Sequence, residues 1–227
     1  LADYLTRGDS CTDVVVVKNP GSVTNNICTT FTNKLNGRDN TESGGGFQAG
    51  DLHFYFTYEG PSGTVASRSS TKGPETSGPE LPTCETHWAY SHSLYWDSNC
   101  LRRHTVRGHT VFFDCTDSTR ILLAGAATCI TRVGFPTVVP AIATRVRVKA
   151  RLNVVAGTNV LAEAQIGTRL NCIAYTLAAN GTADEAEEAE FTMPNVNQEL
   201  FYRIKTTGTA PTLTLTVTGF DVPSGDS

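Results

Sequence analysis

The chain has 227 residues, 39% hydrophobic and 18% charged, with a formal net charge of −4. That length allows one large β-domain or two small ones and is enough to bury a sizeable core. The acidic balance argues against a generally basic nucleic-acid binder, and no run approaches the ~20 apolar residues of a membrane span.

The elements follow in chain order. Residues 1–10 are polar after a short apolar start and read as an N-terminal arm. Val14–Val17 is a β-branched strand stopped by the turn chemistry of Lys18-Asn19-Pro20-Gly21. Ile27–Leu35 is a second strand. Residues 36–50 hold five glycines and predict a flexible exposed loop. In 51–59, Leu52, Phe54, Phe56 and Tyr58 alternate with His53, Tyr55 and Thr57, as a strand with two distinct faces requires. Residues 60–82 are rich in Pro, Ser, Gly and Thr and predict a long exposed loop. Trp88, Tyr90, His92, Leu94 and Trp96 alternate next, which places both tryptophans on one face of one strand.

Further strands are expected at Thr110–Phe113, Thr119–Leu123 and Arg145–Leu152. Phe135–Pro140 is a Pro-bounded connection. Leu161–Tyr175 supplies one or two strands. Residues 183–190 are acidic and helix-friendly, equally suited to a solvated loop. Phe191–Met193 and Leu200–Lys205 are strands. The clearest segment is Thr206–Phe220, where Leu213, Leu215 and Val217 alternate with four threonines. Eight to ten strands with turns predict an all-β, antiparallel β-sandwich of jelly-roll type with long surface loops, a single domain over 1–227.

The seven cysteines, Cys11, Cys28, Cys84, Cys100, Cys115, Cys129 and Cys172, are odd in number and lack a Cys-x-x-Cys pair. They read mostly as buried thiols. The chain starts at Leu1, which reads as a cut from something longer.

Few constellations carry chemistry. Arg7-Gly8-Asp9 has the cation, glycine and carboxylate of an integrin-type receptor site, although three common residues also meet by chance. Cys84, His87, His92 and Cys100 have zinc-ligand types at an unrecognised spacing. His87 and His92 differ by an odd number and should face opposite ways on a regular strand. Trp88, Tyr90 and Trp96 could form an aromatic contact face, or lie in the core. Arg145, Arg147, Lys149 and Arg151 share a strand face that could touch phosphates. Pairing with the acids at 184–190, within the chain or across a subunit contact, is the preferred role. Neither a Gly-x-Ser-x-Gly nor a His-Glu-x-x-His motif occurs, so no enzyme activity, metal or cofactor is expected.

Three stretches carry a resemblance. Tyr4-Leu5-Thr6-Arg7 before a Val-rich strand, Gly50-Asp51-Leu52-His53-Phe54, and Leu200-Phe201-Tyr202-Arg203-Ile204-Lys205 resemble jelly-roll strands of picornavirus-like capsid proteins. The chain departs from that family in having Phe113-Asp114 near the usual Pro-Tyr, and in lacking a proline- and arginine-rich ending. The resemblance implies a virion shell protein, released from a polyprotein and assembled in the host cytoplasm with copies of itself or other capsid subunits. Its loops at 36–50 and 60–82 would face outward to a host receptor. Nucleic acid is not a favoured partner. The alternative is a receptor- or carbohydrate-binding module, such as a viral or phage fibre domain.

Overall fold

The computed structural model describes residues 2–7, 10–18, 49–59, 63–75, 79, 81, 84–96, 101–114, 119–154, 160–170, 173–181, 185–207 and 211–223. Among them are fifteen strands and no α-helix, and every strand pairing is antiparallel. The chain is all-β, consistent with a β-sandwich. It divides into two compact units, Leu1–Leu101 with Pro223–Ser227, and Arg102–Val222.

The first unit contains β1 (Ala2–Arg7), β2 (Ser10–Lys18), β3 (Gly50–Glu59), β4 (Thr64–Ser70) and β5 (Glu85–Trp96). They form one sheet in the order β2-β1-β5-β3-β4. The expected N-terminal arm is corrected: residues 2–7 are a strand paired along its length with β2. The expected loop 60–82 is corrected as well, because β4 lies inside it and returns alongside β3. Its sequence, Thr-Val-Ala-Ser-Arg-Ser-Ser, offers little apolar alternation. Small hydroxyl side chains still fit a paired strand, and Ser69 and Ser70 are fully buried. The predicted strand 27–35 and nearly all of loop 36–50 lie outside the described residues.

A β-bulge governs the centre of this sheet. Phe54 pairs with His92, but Tyr55 pairs with Tyr90, so Ser91 is an extra residue on β5. A bulge of this kind reverses the alternation of everything beyond it. Trp88 and Tyr90 therefore share a face with Tyr55, and His92, Leu94 and Trp96 share the opposite face with Phe54 and Leu52.

The second unit holds two sheets. One runs β13 (Glu185–Pro194), β10 (Arg145–Val154), β15 (Thr212–Asp221), β7 (Thr110–Phe113) and β6 (His104–Arg107), with β8 (Arg120–Gly125) also paired to β15. The other runs β12 (Tyr175–Gly181), β11 (Val160–Gly167), β14 (Glu199–Thr206) and β9 (Thr131–Gly134). Strict alternation buries Val146, Val148, Ala150, Leu152 and Val154 of β10. Leu213, Leu215 and Val217 of β15 lie beside them. From the other sheet, β11 buries Ala162, Ala164 and Ile166, and β14 buries Leu200, Tyr202 and Ile204. The sheets meet closely at Gly125, where an added Cβ would lie 2.5 Å from Tyr202 Oη. The Phe135–Pro140 connection is turn structure, with Phe135, Val138 and Val139 buried.

A second bulge sits in β15. Arg147 pairs with Gly219 and Val148 with Val217, leaving Thr218 as the extra residue. The reversal carries Phe220 inward, where its ring lies 5.6 Å from that of Phe113. It also sets Gly219 against β7, so close that a Cβ would strike the Val111 carbonyl oxygen. Glycine is required there for close approach.

The acidic stretch 183–190 is neither helix nor solvated loop over its described part. It belongs to β13, paired residue for residue with β10. Partnered cross-strand charges override its local helix preference.

Candidate functional site

The outward face of the six-stranded sheet gathers more charged side chains than any other described face. Register alone assembles it. Along β10, Arg145, Arg147, Lys149 and Arg151 are every second residue, so they share the face opposite the core. On one side β13 sets Glu190 opposite Lys149 and Glu188 opposite Arg151. On the other side β15 sets Asp221 opposite Arg145, Thr216 opposite Lys149 and Thr214 opposite Arg151. Beyond β15, Thr110 and Arg107 extend the Asp221 row, and Arg120 of β8 extends the Thr216 row.

Three of the four β10 cations have a neighbour of opposite charge. Lys149 Nζ is 2.7 Å from Glu188 Oε2, and Arg151 Nε is 3.7 Å from Glu188 Oε1. The hydrogen bond from Lys149, with the two positive charges, holds the Glu188 carboxyl below its usual range. Arg147 Nη2 is 3.6 Å from Asp221 Oδ1 and its guanidinium lies 5.3 Å over the Phe112 ring. Thr110 donates to Asp221 Oδ1 at 2.7 Å, and Thr218 donates to Glu190 Oε1 at 2.8 Å. The preferred pairing of the β10 cations with the acids of β13 is thus realised within the chain for Lys149 and Arg151. Arg145 is exposed at the end of the row.

The four-stranded sheet has a different outward face. Gln165 and Arg203 are cross-strand partners, joined by a 2.7 Å bond from Arg203 Nε to Gln165 Oε1. Ile130, Leu170, Ile173 and Phe201 surround them in a shallow, open depression. Leu170 is 57% exposed, Ile173 43% and Leu161, farther along β11, 52%.

In the first unit the structure separates what alternation had joined. The expected aromatic face of Trp88, Tyr90 and Trp96 is corrected by the bulge at Ser91, which puts Trp96 on the other side of the sheet. Trp88 and Tyr90 pack against Tyr55, with ring centroids at 5.3 and 5.8 Å. The same bulge corrects the histidines. His87 opposite Tyr58 and His92 opposite Phe54 face the same way. They stand roughly 13 Å apart along the strand, too far to share one ion. His92 stacks on Phe54, and among the described residues no group of acid, His and Cys side chains could hold a metal.

The rephased face builds a cluster that alternation in the sequence could not reveal. His53 Nδ1 and Ser93 Oγ are 2.6 Å apart, and Tyr90 Oη and Ser93 Oγ are 2.7 Å apart. Tyr55 Oη donates to the Lys72 carbonyl at 2.6 Å. Burial holds His53 below its ordinary pKa, opposed by the negative charge of Glu75, and burial raises both tyrosines. Ser93 is fully buried, so this nucleophile-and-base pair acts as packing and not as a reaction centre. Nearby, Arg68 Nε donates to Glu85 Oε1 at 2.9 Å, leaving Glu85 Oε2 buried with no partner among the described residues.

Of the Arg7-Gly8-Asp9 tripeptide, Arg7 ends β1 opposite Ser10, and Gly8 and Asp9 lie outside the described residues. Cys84 and Cys129 are free thiols and exposed, two exceptions to the expectation that most of the seven are buried. No described helix is long and apolar enough to cross a membrane. Comparison with protein-family models and with curated proteins gave no match.

Proposed function

We propose that the chain is a structural component of a non-enveloped virus particle, a jelly-roll capsid protein that associates with copies of itself and presents surface to a host. The observation that carries this reading is a small group of exposed apolar side chains around the Gln165–Arg203 pair, on the otherwise polar outward side of the four-stranded sheet. Leu170 and Ile173 are each more than two-fifths exposed there, beside Phe201 and Ile130. Large exposed apolar residues gathered on one face mark contact surfaces. The three capsid-like stretches and the antiparallel all-β architecture point the same way. The fibre-like binding module loses ground because its aromatic platform is divided between two sheet faces.

The test is light scattering on a concentration series of the purified chain and of Leu170→Asp/Ile173→Asp. The wild type should associate as concentration rises, and the double variant should remain smaller with an unchanged melting temperature. A wild type that stays monomeric throughout, or a variant that associates equally well, overturns the reading.

A further inference from the structure

We infer that the outward face of the six-stranded sheet binds an acidic, sulfated polysaccharide. This rests on the attachment part of the proposed function and gives it a site and a ligand class. Among the described strand residues of that face, the register places six cations: Arg107, Arg120, Arg145, Arg147, Lys149 and Arg151. Three carboxylates accompany them, Glu188, Glu190 and Asp221. Counted over these described residues, six cations against three carboxylates leave an excess of three positive charges, in a chain whose formal net charge is −4. Such segregation needs a partner of opposite sign, because an acidic molecule gains nothing in solubility from a local cationic field.

The shape and chemistry of the face choose among polyanions. The cations of β10 recur every ~6.8 Å along a straight line, a spacing set by two strand residues. A line of charge suits an extended polymer better than a small ion. Thr214 and Thr216 stand in the adjacent column opposite Arg151 and Lys149, and Thr216 lies between Lys149 and Arg120, so hydroxyls sit beside cations across the sheet. Sulfate and sugar hydroxyl groups accept and donate to that combination. Single-stranded nucleic acid is gripped by cations together with exposed aromatic platforms on which bases stack. The aromatic side chain of this face, Phe112, is half-buried and lies beneath the Arg147 guanidinium. The salt bridges do not cancel the site. Lys149 and Glu188 keep 44% and 40% of their side-chain surface, and such exposed pairs are weak enough for a denser anion to displace the carboxylate.

The experiment uses the whole chain on immobilised heparin, with desulfated heparin and poly(U) as competitors. The protein should be retained at physiological salt and released by heparin, with desulfated heparin and poly(U) each at least tenfold weaker as competitors. Arg145→Ala/Arg151→Ala should lower the slope of log affinity against log salt by roughly 2, one for each cation removed, by the counterion-release argument for polyanions. Glu188→Gln should raise the salt needed for elution, because it removes a competing carboxylate. Circular dichroism melts check that the variants fold. No retention, equal competition by poly(U), or a double variant that elutes with the wild type overturns the inference. Lost heparin binding by protein that still associates leaves the shell reading standing, and retained heparin binding by a strict monomer does the reverse.

Discussion

Leu215 sits at the middle of the apolar row of β15 with no exposed surface, flanked by Leu213 and Val217 in the same state. Its neighbours are fixed by pairing on both sides, Ala150 of β10 and Leu122 of β8, so the site cannot collapse far. Leu215→Ala should cost ~2–5 kcal/mol. A chemical denaturation curve checks this, and a midpoint shift no larger than that of Thr214→Ala would remove Leu215 from the core. His53 makes a pH prediction. Its pKa is lowered in the folded state, so folding favours the neutral ring. A depressed histidine adds stability above its unfolded pKa, near 6.5, and that stability is lost as pH falls below this value. Glu75, after β4, is the charge that acts on the ring and opposes the effect of burial; Tyr55 and Tyr90 stay neutral in this range. The wild type should therefore lose more melting temperature between pH 7.5 and 5.5 than His53→Asn. Parallel losses in the two proteins would show that His53 is not the group responsible.

At the scale of elements, the two bulges set which face each side chain occupies. Leu213, Leu215 and Val217 are odd-numbered and Phe220 and Val222 even, yet all five are buried. Only an extra residue between Val217 and Phe220 reconciles them, and Thr218 is that residue. Deleting Thr218 would turn Phe220 to solvent and remove its contact with Phe113, a loss of ~3–5 kcal/mol by analogy with truncating a buried phenylalanine. Substituting Thr218→Ala keeps the bulge and should cost far less. Equal melting temperatures for the deletion and the substitution would contradict this account of the phase reversal.

Much of the strand pattern was legible where β10, and β15 as far as Val217, alternate cleanly against a buried core. What alternation could not reveal was any inserted residue, so the split of Trp88 from Trp96 and the meeting of Tyr90 with Ser93 stayed hidden. β4 was hidden because serines line it, and β13 because its glutamates read as helix-forming until Lys149 and Arg151 stand opposite. The cationic row of β10 was legible from its spacing. Its extension to Arg107 and Arg120 was not, because those residues arrive through pairings with β7 and β15.

At the scale of the whole molecule, two β-units present faces of contrasting chemistry. The second unit carries a cationic, hydroxyl-rich side on one sheet and, on the other, a depression where Ile130, Leu170, Ile173 and Phe201 surround Gln165 and Arg203. A shell subunit needs surfaces of both kinds, apolar ones for its neighbours and polar ones for what lies outside the particle. Among the described strands, β13 and β6 end the six-stranded sheet. The acidic character of β13 and Arg107 at the end of β6 oppose uncontrolled pairing there, as charged edge strands do. Closed assembly is therefore expected over open fibres. Electron microscopy of the purified chain, concentrated and brought stepwise from high to physiological salt, tests the shell reading most directly. Closed particles of uniform diameter, or arcs of constant curvature, are the expected result; isolated monomers at every concentration and salt would contradict it.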